Sequence, residues 1–218
     1  MDRSYNKIHV IADSSPSAQA AKRSLTKKYK NYSMNDSDVF IVLGGDGFML
    51  ASLKKYQKYE IPFYGMNKGN RGFLLNKFNE KDLINKINKA DIAELHPLEM
   101  YAKNKNGKIK KAIAINEVSV FRETRQAAKL EIKIDNKLRM KEIVCDGTLV
   151  ATPAGSTAYN LSARGPVLDL ESNLLALTPI SPFKPRGWRG ATINSNCKIA
   201  IKNLDPKKRP VKIGRAHV

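Results

Sequence analysis

Residues 44–47 read Gly-Gly-Asp-Gly, so a single carboxylate, Asp46, stands among Gly44, Gly45 and Gly47. The run that leads into them, Val39 to Leu43, is wholly apolar, and a helix-compatible pattern follows over residues 48–59. Glycines at the end of a buried strand let a ligand approach the backbone closely. Consecutive N–H groups can then form an anion nest, and the start of a helix adds its positive dipole. That chemistry suits phosphate. The spacing is neither GxxxxGK[ST] nor GxGxxG, so the common nucleotide fingerprints are absent. A carboxylate beside phosphate is repelled by it unless a metal ion shields it or its task is to take a proton. A hydroxyl attacking a phosphoryl group releases such a proton, and a positioned Asp can accept it. The plain alternative is a tight strand-to-helix turn in which Asp46 caps the helix.

Three more stretches carry candidate chemistry. Residues 65–73, Gly-Met-Asn-Lys-Gly-Asn-Arg-Gly-Phe, place Lys68 and Arg71 among Gly65, Gly69 and Gly72. This turn follows a strand parallel to the first, which predicts that both turns share one edge of the sheet. Asn116 and Glu117 end the apolar run 112–115. They carry donors and acceptors suited to a base or to ribose hydroxyls, or else form a solvated strand end. Residues 145–166 are the densest. Asp146-Gly147 opens a strand that ends in Pro153-Ala154-Gly155, and Ser156, Thr157, Tyr159, Asn160 and Ser162 follow within seven residues. Such a segment can hydrogen-bond a nucleotide while Tyr159 offers a stacking face; its plain alternative is a polar loop with Ser156 or Thr157 as a helix N-cap.

The elements that must hold these residues change character along the chain. Residues 7–13, 38–43 and 61–67 read as strands. Residues 14–29, 48–59 and 79–91 read as helices, the last with Asn79 as N-cap and Leu83, Ile84 and Ile87 on one face. Alternating strands and helices with continuous apolar strands predict a parallel sheet covered by helices. Beyond residue 96 the pattern becomes β. Asn106-Gly107 signals a two-residue hairpin, and Leu130, Ile132 and Ile134 alternate with Lys129, Glu131 and Lys133. Further strands are expected within 147–153, 174–181 and 191–203. The sequence thus predicts two domains, an α/β N-terminal domain at 1–95 with a parallel sheet and an all-β C-terminal domain at 96–218, a sandwich or barrel-like stack.

Composition narrows the function. The 218 residues are 42% hydrophobic, enough for a real core. No apolar stretch approaches the roughly 18 residues that span a bilayer, and the N-terminus is too acidic and its apolar part too short for a secretory signal. A cytoplasmic protein without membrane association is expected, with Cys145 and Cys197 as reduced, half-buried thiols. His9, His96 and His217 make no metal-ligand spacing with a cysteine, so no protein-held metal is expected. The net charge of +19 comes from 39 Lys and Arg against 20 Asp and Glu, largely lysine scattered beside asparagine. An anionic small molecule fits that field. Nucleic acid is not expected, because aromatics are only 7% and no recognised nucleic-acid-binding pattern is present.

Taken together, Gly-Gly-Asp-Gly at 44–47, Asn-Lys-Gly-Asn-Arg-Gly-Phe at 67–73, Asn-Glu-Val at 116–118 and the segment 146–166 resemble the NAD kinase family, in this order and over residues 7–211. The segment 181–190 resembles its bacterial, alphaproteobacterial branch. The first motif is shared with diacylglycerol-type lipid kinases; the combination is not. The resemblance implies transfer of a phosphoryl group from ATP, or from polyphosphate, to the adenosine ribose 2′-hydroxyl of NAD, giving NADP. A divalent cation, Mg²⁺, accompanies the phosphates. Asp46 matches the proton acceptor, and Gly44, Gly45 and Gly47 match the phosphate-cradling turn. Asn116, Glu117 and Asp146 match NAD contacts. Thr157, Ala158, Tyr159, Asn160, Leu161 and Ser162 match the adenine-side stretch, with Phe73 near adenine and Ser181 at an NAD-lining position. A homo-oligomer, dimer or tetramer, in which the β domain completes a neighbour's site is likewise implied. The family's chain continues beyond the strand at 209–213, so a truncated C-terminus with an open sheet edge is expected of 214–218. The alternatives are a lipid kinase of the diacylglycerol kinase type and an inactive nucleotide- or RNA-binding protein.

Overall fold

A computed structural model describes residues 4–69 and 72–215, the side chain of Arg215 excepted; Arg71 and His217 lie outside the described residues. The chain forms two compact units, Met1–Ile92 and Ala93–Val218.

In the first unit, β1 (Ile8–Ala12), β2 (Val39–Gly44), β3 (Phe63–Asn67) and the two-residue β4 (Asn76–Lys77) form one parallel sheet in the order β1-β2-β3-β4. Every residue of β2 is buried, which explains its unbroken apolar text. Its side chains alternate between two layers. Val39, Ile41 and Leu43 join Ile8, Val10, Leu25, Met66, Leu83 and Ile87 in one cluster. Phe40 points the other way into an aromatic group, meeting His9, Tyr56, Tyr59 and Phe63 edge-on at 5.2–5.8 Å.

α1 (Pro16–Lys28) starts as its sequence dictates, with Ser15 Oγ accepting from the Ala18 amide and Pro16 in the first turn. α2 (Asp46–Tyr56) begins two residues earlier than its apolar pattern suggests and ends in a short 3-10 turn at Gln57–Tyr59. α3 is only Leu83–Asn88. Asn79 is not its N-cap: Asn79 Oδ1 accepts from the Lys81 amide in a local turn, and Asp82, with φ 56°, stands before the helix. Leu83 and Ile87 are buried as expected.

The second unit is a β-sandwich with an added hairpin. The hairpin pairs β5 (Leu98–Lys103) with β6 (Ile109–Ala114). The larger sheet runs β12 (Ala191–Asn194), β11 (Leu174–Ile180), β10 (Gly147–Ala151), β7 (Glu117–Arg122), β14 (Val211–Arg215), with every neighbouring pair antiparallel. The smaller sheet runs β13 (Ile199–Asn203), β8 (Ala128–Ile134), β9 (Lys137–Cys145). Leu130, Ile132, Ile143 and Cys145 of the smaller sheet pack with Val120, Val150, Leu175, Leu177 and Ile193 of the larger. The opposite face of the larger sheet, through Leu149, Ala151, Ala176 and Ile180, packs on Leu168 and Ala163 from the segment that includes α4 (Tyr159–Ser162).

Two turns differ from expectation. Asn106-Gly107 lies within a five-residue loop, because Lys103 pairs with Ile109 and Asn104 Oδ1 accepts from the amides of Asn106 and Lys108. The true two-residue hairpin is Asp135-Asn136 between β8 and β9, where both residues adopt positive φ, 49° and 63°. Asp and Asn tolerate that geometry without glycine. The text 191–203 also holds two strands in different sheets, joined by a turn at 195–198.

Candidate active site

In the first unit, Gly44 closes β2 and Gly45, extended at φ −105° and ψ 179°, is the N-cap of α2 without a side-chain cap bond. Asp46 is the first residue of the helix and is half-buried. Its carboxylate turns to the second glycine loop rather than to its own helix. Oδ2 accepts from the Phe73 amide at 2.7 Å and Oδ1 from the Leu74 amide at 3.1 Å. Asp46 is therefore not a helix cap. The Lys68 amide also joins the two loops, donating to the Gly44 carbonyl at 2.8 Å, and the Ser17 hydroxyl of α1 donates to the Lys68 carbonyl at 3.0 Å. Both loops occupy the C-terminal edge of the parallel sheet, since Gly44 pairs with Asn67 in register. Gly47 and the Phe73 ring are exposed, the latter at 71%.

In the second unit, Asn116 and Glu117 precede and open β7. Each is only 4% exposed, and Asn116 Oδ1 and Glu117 Oε2 have no hydrogen-bond partner among the described residues. They are not a solvated strand end. Burial pushes the Glu117 carboxyl up to about 6. Buried polar atoms are ordinarily paired, so two unpaired oxygens on adjacent residues stand out.

The turn after β10 is clamped onto this pair. The Thr152 amide donates to the Asn116 carbonyl at 2.9 Å, and the Thr152 hydroxyl bonds the Ile115 carbonyl and accepts from the Gly155 amide. Ser156 is buried, donating to the Pro153 carbonyl at 2.7 Å and accepting from the Leu168 amide at 3.0 Å. Neither Ser156 nor Thr157 caps α4; its N-cap is Ala158, with no side-chain bond.

Asn160 faces inward and is wholly buried. Its Nδ2 donates to the carbonyls of Ser156 and Pro166, and its Oδ1 accepts from the Thr178 hydroxyl at 2.6 Å. Both amide protons are used within the unit, so the side chain braces the segment from behind. Thr157 and Ala158 are half-buried, and Tyr159, Leu161 and Ser162 are exposed.

Asp146 and Ser181 lie elsewhere. They flank the Gly147–Ile180 pair, at the opposite end of β10 from Thr152, and the Asp146 amide donates to the Ile180 carbonyl. Five strand residues separate the two ends, about 17 Å. Within this unit the structure groups Asn116 and Glu117 with 152–162, and Asp146 with Ser181. Arg122 Nε donates to Asp146 Oδ1, a partnership with no local signal in the residues around either one.

Comparison with known proteins decides the lineage. Residues 3–91 match the ATP-NAD kinase N-terminal domain, and residues 115–213 match the ATP-NAD kinase C-terminal domain. The chain belongs to the ATP-NAD kinase family. The NAD kinase of Rhizobium meliloti is 47% identical over 211 residues, covering 97% of this chain and 82% of that protein. Two solved structures share the fold. Yeast NADH kinase complexed with NADH superposes with a TM-score of 0.82 at 21% identity, covering 99% of this chain and 76% of that one. An NAD kinase from Archaeoglobus fulgidus in complex with ATP gives 0.70 at 22% identity, covering 97% and 84%.

The diacylglycerol kinase alternative shared only the first glycine turn with this chain and gains no support. As a member of the ATP-NAD kinase family, the chain is a phosphotransferase. No group of three or more His, Cys, Asp or Glu among the described residues is arranged to hold a metal ion. No helix among them is long and apolar enough to cross a membrane. Both cysteines are free: Cys145 is fully buried, its thiol pushed up to about 12, and Cys197 is half-buried beside Asp135.

Proposed function

We propose that this chain transfers the γ-phosphoryl group of ATP to the 2′-hydroxyl of the adenosine ribose of NAD, yielding NADP and ADP. The observation that carries the mechanism is the Asp46 carboxylate, half-exposed at the head of α2 with both oxygens held by backbone donors. A carboxylate offers about four lone-pair directions. Among the described residues two are used, one on each oxygen, which leaves directions to accept a ribose hydroxyl proton. As the 2′-oxygen forms its bond to the γ-phosphorus, the bond from that phosphorus to the β,γ-bridging oxygen breaks, and the hydroxyl proton passes to Asp46.

Gly44, Gly45 and Gly47 form the turn that lets phosphate oxygens reach backbone N–H groups, and the positive end of α2 favours the anion. The divalent cation, Mg²⁺, enters as part of the substrate on the ATP phosphates, where it offsets their charge. Asn116 Oδ1 and Glu117 Oε2 accept from NAD hydroxyl or amide groups, which satisfies two buried oxygens that otherwise cost stability. Thr157, Ala158, Leu161 and Ser162 line the adenine side, Tyr159 offers its exposed face, Phe73 adds an aromatic surface, and Asn160 holds the stretch in place. Asp146 and Ser181, at the far end of β10, serve the site of a neighbouring copy, so the working enzyme is a homo-oligomer.

The test is direct. Purified chain is incubated with NAD, ATP and Mg²⁺, and NADP is measured with an NADP-specific dehydrogenase; a parallel arm replaces ATP with polyphosphate. NADP should form, and Asp46→Asn should bind NAD while losing about 10²–10⁴-fold in kcat. Full turnover in that variant would remove Asp46 from the proton step, and no NADP from either donor would remove the assignment itself.

A further inference from the structure

Asp46 is gripped by one short stretch of backbone, residues 72–74. Phe73 and Leu74 each donate an amide to a different oxygen of the carboxylate. Gly72 lies against the same group: a Cβ on Gly72 would stand 2.5 Å from Asp46 Oδ1 and 3.0 Å from its Cγ. That is shorter than side chains tolerate, and the atom in the way belongs to a short side chain already fixed by two bonds. The N-cap of the helix that carries Asp46 is a glycine, so no capping side chain meets this carboxylate. Among the described residues, the donors to the Asp46 carboxylate come from a loop 26 residues downstream of it, counting to Gly72.

Resting on the assignment of Asp46 as proton acceptor, we propose that Gly72 and the amides of Phe73 and Leu74 form a positioning clamp that aims the Asp46 carboxylate. Gly72 is a positioning residue in this scheme: it has no group to offer a substrate, and its contribution is the space it leaves. A methyl there pushes Oδ1 away, and both amide bonds lengthen or break. A displacement of about 1 Å in a reacting group costs on the order of 100-fold in rate. The amide bonds of the clamp act on turnover through Asp46, so their loss must leave kcat unchanged once Asp46 is gone.

The experiment compares Gly72→Ala, Leu74→Pro, which deletes one donor, Asp46→Ala, and Asp46→Ala combined with each. On the full chain, Gly72→Ala and Leu74→Pro should lower kcat about 100-fold, with the KM values for NAD and ATP within about threefold and Tm within a few degrees. In the Asp46→Ala chain, adding either change should alter the residual rate by less than about threefold. Amide hydrogen exchange of the free protein supplies a readout independent of turnover: the Phe73 and Leu74 amides should lose protection in Asp46→Ala. Losses that multiply across the two sites, a raised KM at unchanged kcat, or amide protection that survives Asp46→Ala would each overturn the clamp. Full kcat in Asp46→Ala would instead remove the proton-acceptor assignment, and the clamp with it.

Discussion

The Thr178 hydroxyl donates to Asn160 Oδ1 at 2.6 Å, and both side chains are wholly buried. The bond ties β11 to the segment that resembles a nucleotide-binding stretch. Asn160→Ala would strand the Thr178 hydroxyl and free two carbonyls, those of Ser156 and Pro166. Leaving a buried polar group unpaired costs about 1–3 kcal/mol. The expected loss is about 3 kcal/mol for Asn160→Ala and about 2 kcal/mol for the nearly isosteric Thr178→Val, measured as a shift in urea midpoint at unchanged m value. A loss below about 0.5 kcal/mol for Asn160→Ala, the range of ordinary surface changes, would mean that Asn160 is no brace.

Gly155 sits against the backbone of Asn116. A Cβ on Gly155 would lie 2.2 Å from the Asn116 carbonyl oxygen and 2.5 Å from its carbon. Both obstacles are backbone, so the turn at 153–158 must lift away if Gly155→Ala folds. Lifting it breaks the Thr152 bonds to the Asn116 carbonyl and disturbs the two orphaned oxygens beside it. The expected outcome is a rise in NAD KM of about tenfold or more, equivalent to one lost hydrogen bond of about 1.4 kcal/mol, with the ATP KM unchanged. Unchanged NAD KM in a folded variant would separate the turn from NAD binding.

Glu117 makes stability depend on pH in a stated direction. Its carboxyl is pushed from 4.5 up to about 6 by burial. Between those two values the native state holds a proton there that the unfolded chain has released. Stability from this group is fully present below pH 4.5 and is lost as pH rises through 6. The shift corresponds to about 2 kcal/mol. Urea titrations of the unliganded chain from pH 4.5 to 7.5 should show that decline, and Glu117→Gln, neutral throughout, should flatten it. An identical decline in the variant would assign the effect to another group.

Much of this was legible because local physics and tertiary demand agree. The apolar text of β2 and the glycines that follow announced a buried strand ending in a tight turn into a helix. Ser15 and Pro16 announced the start of α1. The alternation in 130–134 announced a half-buried strand. Where the text misled, a local signal competed with a contact distant in sequence. Asn79 looks like a helix cap, but the chain closes a local turn on it and starts α3 after Asp82. Asn106-Gly107 looks like a tight hairpin, but Asn104 captures two amides and widens the loop. Asn160 lies among polar residues of the right types, and only its partner Thr178, eighteen residues on, turns it inward. The orientation of Asp46 was equally hidden, because the donors that fix it are main-chain amides, which every residue but proline carries.

Arg122 and Asp146 supply the last prediction. Their side chains are about one-third exposed, at 30% and 32%. An ion pair so open to solvent contributes about 0–1 kcal/mol, so Asp146→Ala should shift Tm little. It should nevertheless raise the NAD KM about tenfold, as expected for one lost hydrogen bond to a charged group. The position of Asp146, at the far end of β10 from Asn116 and Glu117, is the reason to test for action between copies. Asp46→Asn protomers and Asp146→Ala protomers are mixed and allowed to exchange, then assayed at low NAD. If Asp146 serves a neighbour's site, a mixed pair contains one site with both residues intact. For random exchange in a dimer, about a quarter of the wild-type rate should return. If Asp146 serves its own protomer, mixing restores nothing, because no single chain then carries both intact residues. Recovery that tracks the exchange time would place Asp146 across the interface; a rate equal to the mean of the two separate variants would confine it to its own chain.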